Sequence, residues 1–147
     1  MDIKIPYTPR KHQAYLHRKI DTHRWNVLVC HRRFGKTVCM INHLIRSALL
    51  SKLNNPRFAY IAPTFKQAKS IAWDYMKQFT AKIPHTKFNE TELRVDLPNG
   101  SRITLLGSES PDGLRGIYLD GCVIDEYANV NSKLFPEIIR PALSDRK

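Results

Sequence analysis

Apolar residues occur along this chain with two spacings, and each spacing predicts a different kind of element. Short unbroken apolar runs predict buried strands, and they occur at Trp25–Cys30, Phe58–Ala62 and Gly121–Asp125. Apolar residues that recur at intervals of three and four predict helices with one buried face, over Lys36–Leu53 and Lys66–Ala81. Helices therefore alternate with strands over most of the chain.

Three further segments complete the pattern. Apolar and polar residues alternate over 93–97 and again over 103–105, on either side of the turn Pro98–Gly100, which predicts a β-hairpin. Shorter helices are predicted over Lys11–Ile20 and Ser132–Ile139. The order of elements predicts the α/β class, with a mostly parallel sheet flanked by crossover helices.

Composition narrows the choice of partner. The chain has 147 residues, enough for one domain with a core. Lys and Arg number 24 against 13 Asp and Glu, a net charge of +11, which indicates a polyanionic partner, with nucleic acid the first candidate. The alternative is a merely soluble basic surface, and composition alone does not decide between the two. The three cysteines form no C-x-x-C pair, so neither zinc nor disulfides are indicated. No apolar run approaches ~20 residues, so we predict no membrane contact.

The stretch VCHRRFGKT, residues 29–37, lies between a predicted strand and a predicted helix. It fits the phosphate-loop pattern G-x-x-x-x-G-K-[ST], except that Cys30 replaces the first glycine. Backbone amides at the start of a helix bind phosphates, and Gly35 allows the backbone to come close to them. Lys36 can reach the β- and γ-phosphates, and Thr37 can bind Mg²⁺. The alternative is a chance Gly-Lys-Thr. The nucleotide-binding candidates are Gln13, His31, Arg32, Arg33, Phe34, Gly35, Lys36 and Thr37.

Two carboxylates follow the last predicted strand, at Asp125 and Glu126. Asp125 is assigned to Mg²⁺ together with Thr37, and Glu126 is assigned as the general base that activates water. Adjacent carboxylates at a strand end can have separate roles because successive side chains point in different directions. The alternative is an exposed acidic turn. The predicted cofactors are therefore ATP and Mg²⁺.

Two arginines inside the loop suggest how the γ-phosphate is stabilised. An arginine beside the γ-phosphate increases the rate of hydrolysis by ~10³–10⁵. Arg32 or Arg33 could supply it from within the same chain, while the other faces solvent or nucleic acid; alternatively both belong to the basic surface. Arg32 joins Lys36 and Glu126 in the predicted catalytic set.

Upstream, the amide of Gln13 can pair with both polar edges of adenine, with Tyr7 as the stacking aromatic.

Four stretches together resemble one known family: PRKHQAYL, VCHRRFGKT, AYIAPTFKQAKSIAWDYM and LRGIYLDGCVIDEYANVNSKLFPEIIRPALSDRK. They are similar to the ATPase domain of large terminase subunits, the DNA-packaging motors of tailed bacteriophages, from about Pro9 to Lys147. The resemblance implies a RecA-like P-loop NTPase fold with a mostly parallel sheet flanked by helices. It also implies that Arg32 acts in cis and that the other loop and acidic residues have the roles given above.

The resemblance further implies hydrolysis of ATP to move double-stranded DNA into a capsid without sequence preference. The expected partners are the portal, the small terminase subunit and further copies in a ring, in the cytoplasm of the bacterial host. Terminases also carry a coupling strand and a nuclease domain, so residues 1–147 are expected to be the N-terminal part of the ATPase domain, incomplete at its C-terminus and without the nuclease. The alternatives are a helicase-type DNA-dependent ATPase and a non-catalytic remnant that binds DNA or a partner.

Overall fold

A computed structural model describes residues 2–144 of the chain. Its α-helices are α1 Lys11–Asp21, α2 Lys36–Leu50, α3 Phe65–Ala68, α4 Asp74–Thr80 and α5 Arg140–Ala142. π-helical segments lead into the last two of these, at Lys69–Trp73 and Phe135–Ile139, and 3₁₀ turns lie at Pro111–Leu114 and Tyr127–Asn129. In this part of the chain, none of the helices is long and apolar enough to cross a membrane.

One five-stranded sheet organises the fold. Its strands are β1 Arg57–Ala62, β2 Lys87–Asn89, β3 Arg94–Asp96, β4 Arg102–Gly107 and β5 Gly121–Ile124. They lie side by side in the order β2-β3-β4-β1-β5. Strand β1 pairs in parallel with both β4 and β5, while β2, β3 and β4 form an antiparallel meander. The predicted α/β class is confirmed. The parallel strands β4, β1 and β5 lie at one end of the sheet, and the antiparallel strands lie at the other end.

Strand β1 is buried on both faces. Phe58, Tyr60 and Ala62 point into a large core formed with α2, α4 and the hairpin. Ala59 and Ile61 point to the opposite face, into a smaller core formed with the C-terminal helical segment. Alternate residues of a strand face opposite sides of a sheet, so layers on both sides explain why the sequence of β1 is apolar throughout.

The predicted hairpin and the predicted long helices are confirmed. Val95 lies opposite Ile103 in the antiparallel pair β3–β4. Helix α2 ends at Leu50 rather than Leu53. Strand β2 was not predicted, because its three residues are short of buried apolar side chains and give no alternating pattern.

The predicted buried strand at Trp25–Cys30 is wrong. Residues 26–30 have neither helix nor strand assigned, and Val27 and Val29 are 90% and 94% exposed. A strand exists only when a neighbour supplies its ladder of hydrogen bonds, and within residues 2–144 strand β5 pairs with β1 alone. The apolar run is present, but no strand among the described residues pairs with it.

Candidate nucleotide-binding site

Residue Gly35 forms the junction between the loop and α2. Its backbone has φ of 85°, a left-handed conformation that favours glycine. A Cβ at this position would lie 2.8 Å from Nε2 of Gln13, which is too close for a carbon atom. The Cys39 amide donates to the Gly35 carbonyl at 3.0 Å, and the amides of the first turn before it have no partner inside the helix. The helix therefore presents free N–H groups beside the loop, with its positive dipole end.

Side chains at the start of helix α1 hydrogen-bond to the end of this loop. The Gln13 amide donates to the Gly35 carbonyl at 3.2 Å, and its oxygen accepts from the Arg10 amide at 2.9 Å. The Arg10 guanidinium donates to the Phe34 carbonyl. Gln13 is buried at 4% exposure. Side chains at the start of α1, rather than hydrogen bonds of the sheet, therefore fix the end of the loop.

A cluster of polar side chains, here called the histidine cluster, joins α1 to α2. The rings of His17 and His43 stack with centroids 5.1 Å apart, and their Nδ1 atoms are 2.8 Å apart. The Tyr7 hydroxyl lies 2.9 Å from Nε2 of His17, and Arg46 donates to both oxygens of Asp21. Burial lowers the pKa of His43 to about 4, and burial also lowers the pKa of His17. Both rings are therefore neutral at neutral pH.

The acidic residues lie at the end of β5. The Asp125 amide donates to the Ile61 carbonyl at 2.8 Å and so continues the register of β5 with β1. One oxygen of Asp125 accepts from the Glu126 amide at 2.9 Å, and the other accepts from the Tyr60 hydroxyl. Glu126 has φ of 49° and is exposed. The Asp125 carboxylate is therefore held by two hydrogen bonds, whereas the Glu126 side chain is exposed; their separate roles stay a prediction.

The Tyr60 hydroxyl is the point where the loop helix and the acidic strand meet. The phenol donates to Asp125, and the Thr37 side chain lies close enough to affect the pKa of the same phenol. The pKa of Tyr60 is raised far above its ordinary value, first by burial, then by the hydrogen bond to Asp125 and its charge; the charge of Glu126 also contributes. The structure thus brings Thr37 close to the adjacent residues Asp125 and Glu126, which follow it by about ninety residues in the sequence.

The basic side chains of the loop are free of ion pairs within residues 2–144. Nζ of Lys36 donates to the Cys30 carbonyl at 3.3 Å, across the start of the loop. Arg32 and Arg33 are exposed, and neither guanidinium makes a hydrogen bond or ion pair with any residue in 2–144. Each guanidinium therefore has freedom to reach an anion bound at the loop, and the geometry does not distinguish between them.

The remaining nucleotide-binding candidates have structural contacts. The ring of Phe34 lies between His12 and His31, with centroids 5.8 Å and 6.0 Å away. Both ends of the Gln13 amide bond to backbone atoms, so its assignment to adenine stays a prediction. Tyr7, the proposed stacking partner, instead belongs to the histidine cluster and contacts the aromatic ring of Phe79.

The oxygen atoms at this point suit Mg²⁺. Among residues 2–144 no group of three His, Cys, Asp or Glu side chains could hold a metal ion unaided. Mg²⁺ in nucleotide sites, however, uses one or two protein oxygens and completes its shell with phosphate and water. Asp125 keeps unused lone pairs after its two hydrogen bonds, and Thr37 adds a hydroxyl. The residues present therefore fit a magnesium ion that arrives with a nucleotide.

Sequence reasoning missed Tyr60 and Arg10. Tyr60 reads as one more apolar residue inside a buried strand, and the signal that marks it is a hydroxyl in an otherwise apolar run. Tyr60 aligns with Val123 of β5, and Asp125 lies two residues further on the same face. This alignment depends on the register between two strands that are far apart in the chain, which the sequence does not contain.

A sheet with parallel strands at one end, flanked by helices, is the RecA-like α/β architecture of terminase ATPase domains. A family model described as "Terminase large subunit, T4likevirus-type, N-terminal" matches residues 29–145. The chain therefore belongs to this family. Comparison with curated protein sequences finds no match.

Solved structures share the fold. The ATPase domain of the large terminase of Thermus phage P74-26 superposes with a TM-score of 0.77 at 24% identity, covering 95% of this chain and 62% of that one. The large terminase of another thermophilic bacteriophage gives 0.64 at 20% identity, covering 76% and 29%. That second terminase in complex with ADP gives 0.63 at 21% identity, covering 77% and 29%. The chain thus spans less than two thirds of the domain from P74-26.

Proposed function

We propose that this chain binds ATP with Mg²⁺ at the loop 31–37 and hydrolyses it as part of a motor that packages double-stranded DNA. The observation that carries the proposal is the meeting of Thr37, Asp125 and Glu126 around one buried hydroxyl. A phosphate loop and an acidic strand end that converge are the two halves of a nucleoside-triphosphatase site. The ADP complex of the second phage terminase supports nucleotide as the ligand.

Each side chain has a defined task in this proposal. The amides after Gly35 and the ammonium of Lys36 bind phosphate oxygens. Thr37 and Asp125 hold Mg²⁺, which when bound neutralises charge on the phosphates. Glu126 is exposed, and its carboxylate accepts no hydrogen bond within residues 2–144; it accepts a proton from the attacking water. Arg32 reaches the γ-phosphate oxygens and stabilises the charge that develops there.

The partners follow from family membership and charge. A net charge of +11 suits the phosphates of double-stranded DNA, bound without sequence preference. The portal, the small terminase subunit and further copies in a ring are proposed as the other partners, in the host cytoplasm. Binding of this chain to two unrelated duplexes should be equally tight and should fall steeply as salt is raised.

A binding and turnover experiment tests the proposal. Lys36→Ala should weaken ATP binding by about 10- to 100-fold, because a charged hydrogen-bond donor to phosphate is lost. Lys82→Ala, which removes an equally charged but exposed ammonium, is the matched control and should bind as wild type. Unchanged binding in Lys36→Ala would contradict the proposal.

Turnover then separates the catalytic roles. Glu126→Gln should bind ATP normally and lose hydrolysis, while the control Glu92→Gln keeps wild-type turnover. Arg32→Ala should lower turnover by about 10³- to 10⁵-fold with little change in affinity, and Arg33→Ala should not. Equal turnover in Glu126→Gln would remove that carboxylate from its role, and the reverse result for the two arginines would exchange theirs.

A further inference from the structure

Tyr60 is wholly buried in β1, with 0% of its surface exposed. Its ring lies in the large core, and its hydroxyl ends between the first turn of α2 and the end of β5. A buried phenol needs a partner for its hydroxyl, and here the partner is Asp125. Asp125 is assigned above to Mg²⁺ together with Thr37, whose side chain lies near the same hydroxyl.

Hydrogen-bond chemistry gives this group a direction. An ionised carboxylate can only accept, so the Tyr60 hydrogen is donated to Asp125. The bond therefore runs in one direction, from Tyr60 on β1 to Asp125 at the end of β5.

That direction leaves Asp125 able to bind a cation. Asp125 has one lone pair used by Tyr60 and one by the Glu126 amide, which leaves one on each oxygen. The two bonds also hold the plane of the carboxylate. Groups that orient metal ligands in this way typically change metal affinity by about 10- to 100-fold when they are removed.

We propose that Tyr60 is a positioning residue, which sets the orientation of the Asp125 carboxylate for Mg²⁺ through the hydrogen bond that it donates. This rests on the proposed function, since it concerns the same site. It assigns to a residue of β1 a task at the end of β5. The hydroxyl has this positioning role, and the ring packs in the large core.

The test measures how much Mg²⁺ strengthens binding of a non-hydrolysable ATP analogue, as the ratio of its dissociation constants in EDTA and in Mg²⁺. In Tyr60→Phe this ratio should fall by about 10-fold, because the ring is kept and only the orienting hydroxyl is lost. Affinity in EDTA should stay near wild type. Tyr118→Phe is the matched control: its hydroxyl bonds to the Asn55 carbonyl, away from the site, and the ratio should not change.

The ratio is measured within one protein, so a modest loss of stability does not alter it. A wild-type ratio in Tyr60→Phe would overturn the role of Tyr60 while leaving the proposed function intact. Absence of analogue binding in the wild type would overturn both. In the unmutated protein, labelled at tyrosine Cζ, the Tyr60 carbon resonance should move more on adding analogue with Mg²⁺ than with EDTA. Equal movement in the two conditions would also count against the role.

Discussion

Strand β1 and the segment at residues 25–30 are two apolar runs of similar length, but β1 is a buried strand and the other segment is exposed and unpaired within the described residues. In β1, Tyr60 and Ile61 are 0% exposed, and parallel strands pair with β1 on both sides. In the segment before the loop, Val27 and Val29 are 90% and 94% exposed. Apolar sequence gives both runs the tendency to form a strand, but of these two runs only β1 has, among the described residues, a strand on each edge and a layer on each face.

The difference shows two ways in which a chain can position a functional group. Asp125 is positioned by the sheet, because its amide continues the ladder with β1. The loop is positioned by side chains at the start of α1, through Gln13 and Arg10 on its last carbonyls. The first kind of support is part of the global core, whereas the second depends on α1 remaining in place. The two halves of the site should therefore respond differently to perturbation.

The largest expected effect is in β1. Ile61→Ala should lower the free energy of unfolding by about 2–5 kcal/mol, since it leaves a cavity in the smaller core where Ile61 is wholly buried. Urea unfolding measures the loss. Leu50→Ala, which truncates a side chain that is 65% exposed at the end of α2, is the control and should change stability by less than about 0.5 kcal/mol. Equal effects in the two variants would contradict the burial of β1.

Most of the fold follows from local pattern. The helical spacing of apolar residues in α2 predicted its start and buried face, and the alternation on either side of Pro98–Gly100 predicted the pairing of β3 and β4. The segment at 25–30 could not be assigned correctly, because its sequence resembles that of β1 and its environment is decided elsewhere. Pairing is a property of the whole sheet, and a short sequence window does not report it.

Acid should destabilise the contact of α1 with α2 before it affects strand β1. His43 is held neutral in the folded chain, with its pKa lowered by burial to about 4 from 6.5. The unfolded chain therefore binds more protons between these values, and stability should fall as pH drops from about 6.5 to 4, by on the order of 2 kcal/mol. Unfolding measured against pH shows this slope. Hydrogen exchange should show α1 losing protection before β1.

A substitution identifies the group responsible. His43→Gln should flatten the dependence of stability on pH over this range. His23→Gln, which replaces an exposed histidine near the end of α1, should keep the wild-type slope. A slope that survives in His43→Gln would mean that another group governs the acid response, and exchange that is lost uniformly would contradict the separation of α1 from the sheet.

A smaller effect is expected at the junction of loop and helix. Gly35→Ala should cost about 1–2 kcal/mol of stability, because alanine is strained at positive φ and its Cβ would push against the Gln13 amide. The affinity for an ATP analogue should fall with it. Gly113→Ala is the control, since a Cβ there meets nothing within 4 Å. A wild-type affinity and stability in Gly35→Ala would show that α1 does not constrain the loop.

The candidate site was predictable where a motif is contiguous. The Gly-Lys-Thr corner and the pair Asp125 and Glu126 could be named because each lies in a few consecutive residues. Their convergence on Tyr60 could not, since it depends on the register of β1 with β5. The support from Arg10 depends in turn on how α1 packs against α2, and long-range packing leaves no local pattern.

The smallest expected effect completes the comparison. Val27→Ala and Val29→Ala should each change the free energy of unfolding by less than about 0.5 kcal/mol, because exposed side chains lose almost no contacts on truncation. Urea unfolding beside Ile61→Ala gives the direct contrast. A loss above about 1 kcal/mol in either valine variant would show that the segment is packed in solution as β1 is. The loop would then be held by a strand as well as by α1, and both halves of the site would have the same kind of support.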